Sequence, residues 1–403
     1  MLNNHSLKLN LALIKPNYKT ILNHSIHKEQ FFNLKTLILR MPKRKKRIVI
    51  KVGSNVVAQQ GGGLDLKSIE QLTRQISVLN KEGNDIILIS SGAVAAGRSL
   101  ITPPKKTDEI SKRQLFASVG QIKLINLYAE QFAKLGCLCA QVLVTKEDFR
   151  DREHYINMKN CIAVLLQNNV IPILNENDVI SVTELMFTDN DELAGLVSGM
   201  VDADKLVILS NVKGIYDGAP NKSTSKLIPF IEFGDTKFES FITSEKSNFG
   251  RGGMLTKCSM ANKVASMGIP VQIADGKEAN ILIQINNQLH VGTLFKPRKN
   301  ISSIKKWVAH SEGFVKGAVF IDEGAQKALQ SNKPTSLLPV GITKIEGSFK
   351  KGEIIQIISN AGKKLGVGKA QYNSDKAAEL MSKKNEKALV HYDYLFLNNE
   401  LSK

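Results

Sequence analysis

Residues 48–55 read IVIKVGSN, four β-branched residues closed around a lysine and followed by glycine, serine and asparagine. A short run this apolar, with no polar alternation, is a strand buried on both faces, the kind found in parallel sheets. Lys51 sits inside it. An unpaired ammonium is costly to bury, so the lysine either points outward at a sheet edge or meets an anion at the strand end. It does not belong to a Walker A loop, where the lysine follows the last glycine of G-x-x-x-x-G-K-[ST]. Gly53 and Ser54 let the backbone turn closely and offer N–H groups to an anion at a helix start.

Five further runs of this kind follow: IILIS (86–90), QVLVT (141–145), VIPIL (170–174), KLVILS (205–210) and IPVQIA (269–274). Apolar spacing of three and four predicts helices near 65–81, 112–135, 152–168, 191–201 and 254–267. Strands alternating with helices imply an α/β fold, a mainly parallel sheet between two helical layers. Ligands of such sheets bind beyond the C-terminal ends of the strands. After GTLFKPRKN (292–300) the alternation stops, and GAVFID, EGAQKALQ, GEIIQIIS, KLGVGKA and ALVHYDYLFL describe a small strand-rich domain with its own core. The expected organisation is a basic leader over 1–46, an α/β domain over 47–296, a linker over 297–306 and a β-rich domain over 307–403.

A length of 403 residues, 42% of them hydrophobic and 23% charged, fits a globular chain of two or three domains. Polar residues interrupt every apolar run well before the roughly 18 residues of a membrane span. The net charge of +18 is unevenly spread, +10 of it in residues 1–50, +2 in 51–304 and +6 in 305–403. The leader has Glu29 as its only acid and runs into MPKRKKR. Three readings of it stay open: an organelle-targeting segment, although those are usually rich in Arg and Ser; a nucleic-acid or membrane-surface arm; or sequence upstream of a true start at Met41. Cys137, Cys139, Cys161 and Cys258 form no C-x-x-C pair and have no histidine cluster nearby. Buried free thiols in the reducing cytoplasm are expected.

Polar motifs gather at the expected strand ends. ISSGAVAAG (89–97) puts Ser90, Ser91 and Gly92 before a helix, as an anion cradle or simply a turn and cap. ILNENDVISVTEL (173–185) supplies Asn175, Glu176, Asn177 and Asp178, either an Asx-rich turn or a polar rim for an ammonium and a carboxylate. SNFGRGGMLTK (247–257) sets three glycines before a helix that carries Lys257. Such a loop brings N–H groups to phosphates or is a plain surface loop. In FTDNDELAG (187–195), Thr188 with Asp191, or Asp189 with Glu192, fits a capping box.

In this order and spacing, these motifs resemble the amino acid kinase superfamily, nearest to its glutamate-phosphorylating branch, and SLLPVGITKIEGSFKKGEIIQI with QYNSD resembles a PUA domain. The resemblance implies a three-layer αβα sandwich with a C-terminal β-rich PUA domain. It also implies transfer of a phosphoryl group from ATP to the side-chain carboxylate of L-glutamate, giving L-glutamyl 5-phosphate at the start of proline biosynthesis. Lys51 and Lys257 would contact the ATP phosphates. Gly53, Ser210, Asn211 and the loop Arg251, Gly252, Gly253, Met254, Leu255, Thr256 and Lys257 would surround the nucleotide. Ser91, Asp178 and Asn190 would bind glutamate, and Asp191 matches the catalytic aspartate. No protein metal site is implied, Mg²⁺ being expected on the ATP phosphates. The resemblance further suggests inhibition by proline, a homo-oligomer, and handover of product to a glutamyl phosphate reductase. Two positions depart from the family pattern: Ser210-Asn211 stands where Thr-Asp is common, and Gly250-Arg251-Gly252-Gly253 where Gly-Thr-Gly-Gly is.

The chemistry suits these residue types. A glutamate carboxylate with a pKa near 4.3 is already ionised, so no general base is needed, and the difficulty is bringing an anion to a polyanion. Two lysines and Mg²⁺ would answer that, with Asp191 between the lysines to keep both charged. A second reading takes the basic tail and leader as an RNA-binding surface, with Trp307 and Tyr372 its few candidate stacking residues.

Overall fold

The computed structural model describes residues 45–59, 61–181, 187, 189–218, 224–235, 237, 240, 253–298, 315–331 and 335–397. The basic leader before Lys45 lies outside the described residues, as do Trp307, Arg251 and Gly252.

Among the described residues the first sheet has eight strands: β1 (Arg47–Val52), β2 (Asp85–Ser90), β3 (Leu138–Val144), β4 (Val170–Glu176), β5 (Lys205–Ser210), β6 (Phe230–Ile231), β7 (Val271–Asp275) and β8 (Thr293–Phe295), in the order β3-β4-β2-β1-β5-β7-β8-β6. All pairs from β3 to β7 are parallel; β8 joins β7 antiparallel. Among the described residues nine helices lie along this part of the chain: α1 (Ser54–Val57), α2 (Leu66–Lys81), α3 (Ala93–Arg98), α4 (Glu109–Lys134), α5 (Lys146–Arg150), α6 (Arg152–Gln167), α7 (Asn190–Met200), α8 (Met254–Ser266) and α9 (Ile281–Asn286).

Strand geometry explains the layers. Alternate residues of a strand face opposite sides of the sheet. Ile48, Ile50 and Val52 join a buried cluster with Ile69, Leu72 and Ile76 of α2 and Leu124, Tyr128 and Phe132 of α4. Val49 joins the opposite cluster, with Leu193, Ala194 and Val197 of α7 and Cys258, Ala261 and Val264 of α8. Lys51 shares the parity of Val49, so the pleat directs it toward α7 and α8.

Two strands differ from their sequence-based limits in ways that matter. β3 begins at Leu138, ahead of the expected 141, because it is an edge strand whose Leu138 is exposed and carries no buried-strand signal. β4 runs past 174 to Glu176, since Asn175 and Glu176 continue the pairing with Leu143 and Val144. The polar rim therefore starts on the sheet itself.

Helices α3 and α4 cross with their backbones nearly touching. A Cβ on Gly120 would lie 1.9 Å from the Ala93 carbonyl oxygen, and one on Gly97 1.9 Å from that of Phe116. Gly92, at the turn into α3, has φ +119°, a left-handed conformation that suits glycine. Of the four thiols, Cys137 and Cys258 are buried as expected, but Cys161 is exposed on α6 and Cys139 is partly exposed on edge strand β3.

The second sheet, β10-β9-β11-β12-β13, is built from β9 (Gly317–Ile321), β10 (Ile342–Gly347), β11 (Ile354–Ser359), β12 (Lys364–Lys369) and β13 (Leu395–Leu397), with α10 (Glu323–Leu329) and α11 (Ser374–Leu380). It has its own core, including Val319, Ile321, Ile355, Ile357, Leu365 and Leu389. Ile354, Val367 and Phe396 belong instead to the α7–α8 side cluster of the first sheet, so the two sheets share apolar packing.

Candidate active site

A cleft of 460 Å³ opens at the C-terminal ends of β1, β2, β4 and β5, the expected edge of a parallel sheet. Lys51, Ser91, Asp178, Asn190, Asp191, Ser210, Asn211 and Lys257 all line it, together with Gly53.

Its centre is Asp191, which is fully buried at the start of α7. Lys51 Nζ lies 2.6 Å from Asp191 Oδ1 and Lys257 Nζ 3.2 Å from Oδ2. Lys51 itself is 4% exposed. This decides between the two readings of the strand lysine: it meets a carboxylate inside the protein. Burial drives the Asp191 pKa upward, but the two ammonium groups and their hydrogen bonds outweigh it and hold the carboxyl below its ordinary 3.8. An acid held that low is a poor proton acceptor at neutral pH and a good fixed counter-charge.

Asp189 does the capping. Its Oδ1 accepts from the N–H groups of Asp191 and Glu192 at 2.9 and 3.1 Å. Glu192 Oε1 pairs with Lys146 at 2.9 Å, and among the described residues no capping box is completed at this helix. Thr188 lies outside the described residues. Asp189 Oδ2 is buried without a hydrogen-bond partner among the described residues. Burial and the neighbouring Asp191 charge raise its pKa, against the opposing pull of Lys51 and Lys257.

On the other side of the cleft, Asn190 Nδ2 donates to Ser91 Oγ at 2.8 Å and to Asn175 Oδ1 at 3.1 Å, and Asn175 Nδ2 donates to Gln121 Oε1 at 3.0 Å. Ser90 takes no part, since its hydroxyl turns into the core, donating to the Ser91 carbonyl and pairing with Tyr128 Oη at 2.8 Å. Arg113 of α4 bonds Asp178 and lies 3.5 Å from Glu176. Gln121 and Arg113 were not foreseen, because each looks like an ordinary polar residue on a long helix; only their spacing on α4 could have placed them together.

The nucleotide-side positions are more varied. Gly53 N–H donates to the Leu209 carbonyl at 3.0 Å and is spent there, tying β1 to β5. Ser210 and Asn211 sit at the end of β5, their side chains 3.4 Å apart. Gly253 precedes α8 and offers no side-chain cap, so among the described residues no N-cap side chain accepts from the first N–H groups of α8, a suitable end for an anion. Met254, Leu255 and Thr256 form that first turn, and Thr256 Oγ1 donates back to Gly253 O at 2.8 Å. A larger cavity of 910 Å³ lies on the second sheet among Lys351, Lys376, Lys387, Tyr372, His391 and Tyr394. Its size does not make it the reactive site, for among the described residues its lining holds no buried ion cluster like that of Asp191.

A buried carboxylate thus holds two ammonium groups at the C-terminal edge of a parallel sheet, a cationic pair facing an open cleft. Comparison with known proteins gives the family. Residues 46–275 match the amino acid kinase family and residues 317–392 the PUA domain. The chain is 54% identical over 354 residues to the glutamate 5-kinase of Bacteroides thetaiotaomicron, covering 87% of this chain and 98% of that protein. It is 48% identical over 353 residues to that of Chlorobaculum tepidum, covering 87% and 97%. Among solved structures, carbamate kinase from Giardia lamblia bound to AMP-PNP overlaps 63% of this chain and 99% of its own, at 17% identity and a TM-score of 0.47. The chain belongs to the amino acid kinase family and, within it, to the glutamate 5-kinases.

Proposed function

We propose that the protein transfers the γ-phosphoryl group of ATP to the side-chain carboxylate of L-glutamate, forming L-glutamyl 5-phosphate for proline biosynthesis. The observation that carries the chemistry is the pair of lysines held on Asp191 at 2.6 and 3.2 Å. An ionised carboxylate nucleophile needs no base, and Asp191, with its lowered pKa, is suited to hold charge rather than take protons. Lys51 and Lys257 neutralise the transferring group and its neighbours, where preorganised donors are worth roughly 10²- to 10³-fold in rate. Mg²⁺ enters as part of the Mg-ATP substrate. The glycine loop from Arg251 to Lys257, with Gly53, Ser210 and Asn211, surrounds the nucleotide. Ser91, Asp178 and Asn190 bind glutamate, supported by the Ser91–Asn190–Asn175 hydrogen-bond chain.

The domain limits we assign are 47–296 and 307–403, joined by 297–306. We further infer a cytoplasmic homo-oligomer, inhibited by proline and passing its unstable acyl phosphate to a glutamyl phosphate reductase. Among the described residues no helix is long and apolar enough to cross a membrane.

The test is ATP- and Mg-dependent hydroxamate formation from glutamate and hydroxylamine, with N-acetylglutamate, aspartate and UMP as alternative acceptors. Turnover of one of those in place of glutamate would move the protein to another branch of the family. A second, ancillary reading is RNA contact by the small domain. Its support is the 910 Å³ cavity, where Tyr372, His391 and Tyr394 stand among three lysines. Salt-sensitive RNA binding lost on changing Lys351 and Lys387 to glutamate would support it; binding indifferent to those changes would remove it.

A further inference from the structure

The cleft residues that phosphoryl transfer does not use surround Asp178. Arg113 Nε donates to Asp178 Oδ1 at 2.9 Å, and its Nη2 bonds the same oxygen and lies 3.5 Å from Glu176 Oε2. Both carboxylates are buried, whereas the arginine side chain is 27% exposed and lines the cleft. A guanidinium carries five N–H donors in a planar fork, and Nη1 of Arg113 donates to nothing among the described residues. The Nη1 donors thus stay available beside an acidic residue, in the same cavity as the Ser91–Asn190 hydrogen bond.

We propose that Arg113 receives the α-carboxylate of the substrate, so that the Arg113–Asp178 pair reads the zwitterionic head of a free α-amino acid as one unit. The proposal rests on reading this cleft as the acceptor site of a glutamate kinase. The ammonium and carboxylate of an α-amino acid hang from a single carbon, so receptors for them must be neighbours of opposite charge. A pre-existing arginine–aspartate ion pair has that arrangement, and its alignment costs nothing when the substrate arrives. The fork of arginine also matches a carboxylate in a way a lysine does not. An N-acylated substrate lacks the ammonium and brings bulk against Asp178. An α-amide lacks the anion that the guanidinium seeks.

The competing role is purely positional, with Arg113 bracing Asp178 and Glu176 at the end of β4. The two are separated by a substrate-by-residue comparison. Wild type, Arg113→Met and Arg113→Lys are assayed with L-glutamate and with its α-carboxamide, L-isoglutamine. Where the amide is not turned over, its competitive inhibition constant is compared with the KM of glutamate. A charge-assisted contact through Nη1 predicts that Arg113→Met lowers kcat/KM for glutamate by about 30-fold or more, chiefly through KM. The preference for glutamate over the amide then collapses to within about threefold, and Arg113→Lys falls between. If both acceptors weaken equally and the preference is unchanged, Arg113 is a positioning residue and the proposal is wrong. Thermal unfolding shows whether Arg113→Met folds, and the lysine variant is read if it does not. A wild type inactive on glutamate would sink the kinase reading and this one together, while an unchanged preference sinks only the latter.

Discussion

Replacing Asp191 with asparagine keeps the shape of the side chain and removes the charge on which both lysines rest. With contacts of 2.6 and 3.2 Å, an effective dielectric of 20 gives attractions of about 6 and 5 kcal/mol before desolvation is subtracted. Most of that gross energy offsets burial of the charges, and breaking such a pair from one side costs about 3–5 kcal/mol. The asparagine oxygen can still accept from one lysine, so the lower end, about 3 kcal/mol, is expected for folding. The lysine that loses its partner also leaves its place beside the transferring phosphoryl group, which lowers kcat by about 100-fold or more. Hydroxamate formation at saturating Mg-ATP and glutamate measures kcat, and thermal unfolding measures stability. The wild-type kcat should show no acid limb above pH 5 from Asp191, since its pKa is held below 3.8. Linkage has the same sign: a lowered folded-state pKa gives stability that is present above about 3.8 and lost as pH falls through the folded value. Asp191→Asn should therefore be the less stable protein at pH 7, with the gap narrowing at the most acid pH. Two results would refute the reasoning: a variant that keeps more than a tenth of wild-type kcat, or a neutral-pH limb in the wild type that the substitution abolishes, the mark of a base.

Three further perturbations follow from the geometry. Lys51→Ala should fold and lose about 100-fold or more in kcat, measured by the same assay; retention of half the activity would remove Lys51 from the site. Asp189→Asn should be as stable as wild type or more so at pH 7, because asparagine caps a helix as well as aspartate and the raised pKa of Asp189 makes its charged form unfavourable in the fold. That raised value means stability declines as pH rises from about 3.8 through the folded pKa, so any gain should vanish in acid; a clear loss of stability at pH 7 would contradict it. Gly120→Ala would put a methyl group 1.9 Å from the Ala93 oxygen, forcing α3 from α4 at a cost of about 1–3 kcal/mol or more, with KM for glutamate rising because α3 follows directly on Ser91; unchanged unfolding would refute the tight crossing.

The parts of the site that could be read from sequence are those the backbone itself dictates. Lys51, Ser91, Asp178 and Ser210 lie at or just beyond the ends of apolar strands, and a parallel sheet gathers its strand ends along one edge. Asn190 and Asp191 open a helix beside that edge, and their acid-rich start is itself a helix signal. Arg113 and Gln121 have no such marker. Arg113 lines the cleft and Gln121 accepts from Asn175 behind it, both from a helix that Gly97 and Gly120 let pack backbone to backbone on α3. Contacts created by the packing of two helices depend on residues far apart in sequence, so neither helix alone discloses them.

The same distinction explains the roles within FTDNDELAG. From sequence, capping and chemistry compete for the same acids, since both want a carboxylate at a helix start. The structure separates them by direction. Asp189 turns Oδ1 back onto the N–H groups of its own helix, Glu192 points away to Lys146, and Asp191, one residue inside the helix, is left facing β1. A side chain already satisfied by its own helix could not hold two lysines from elsewhere. The capping by Asp189 is thus what leaves Asp191 available as counter-charge, a dependence that two competing capping boxes in the sequence do not disclose.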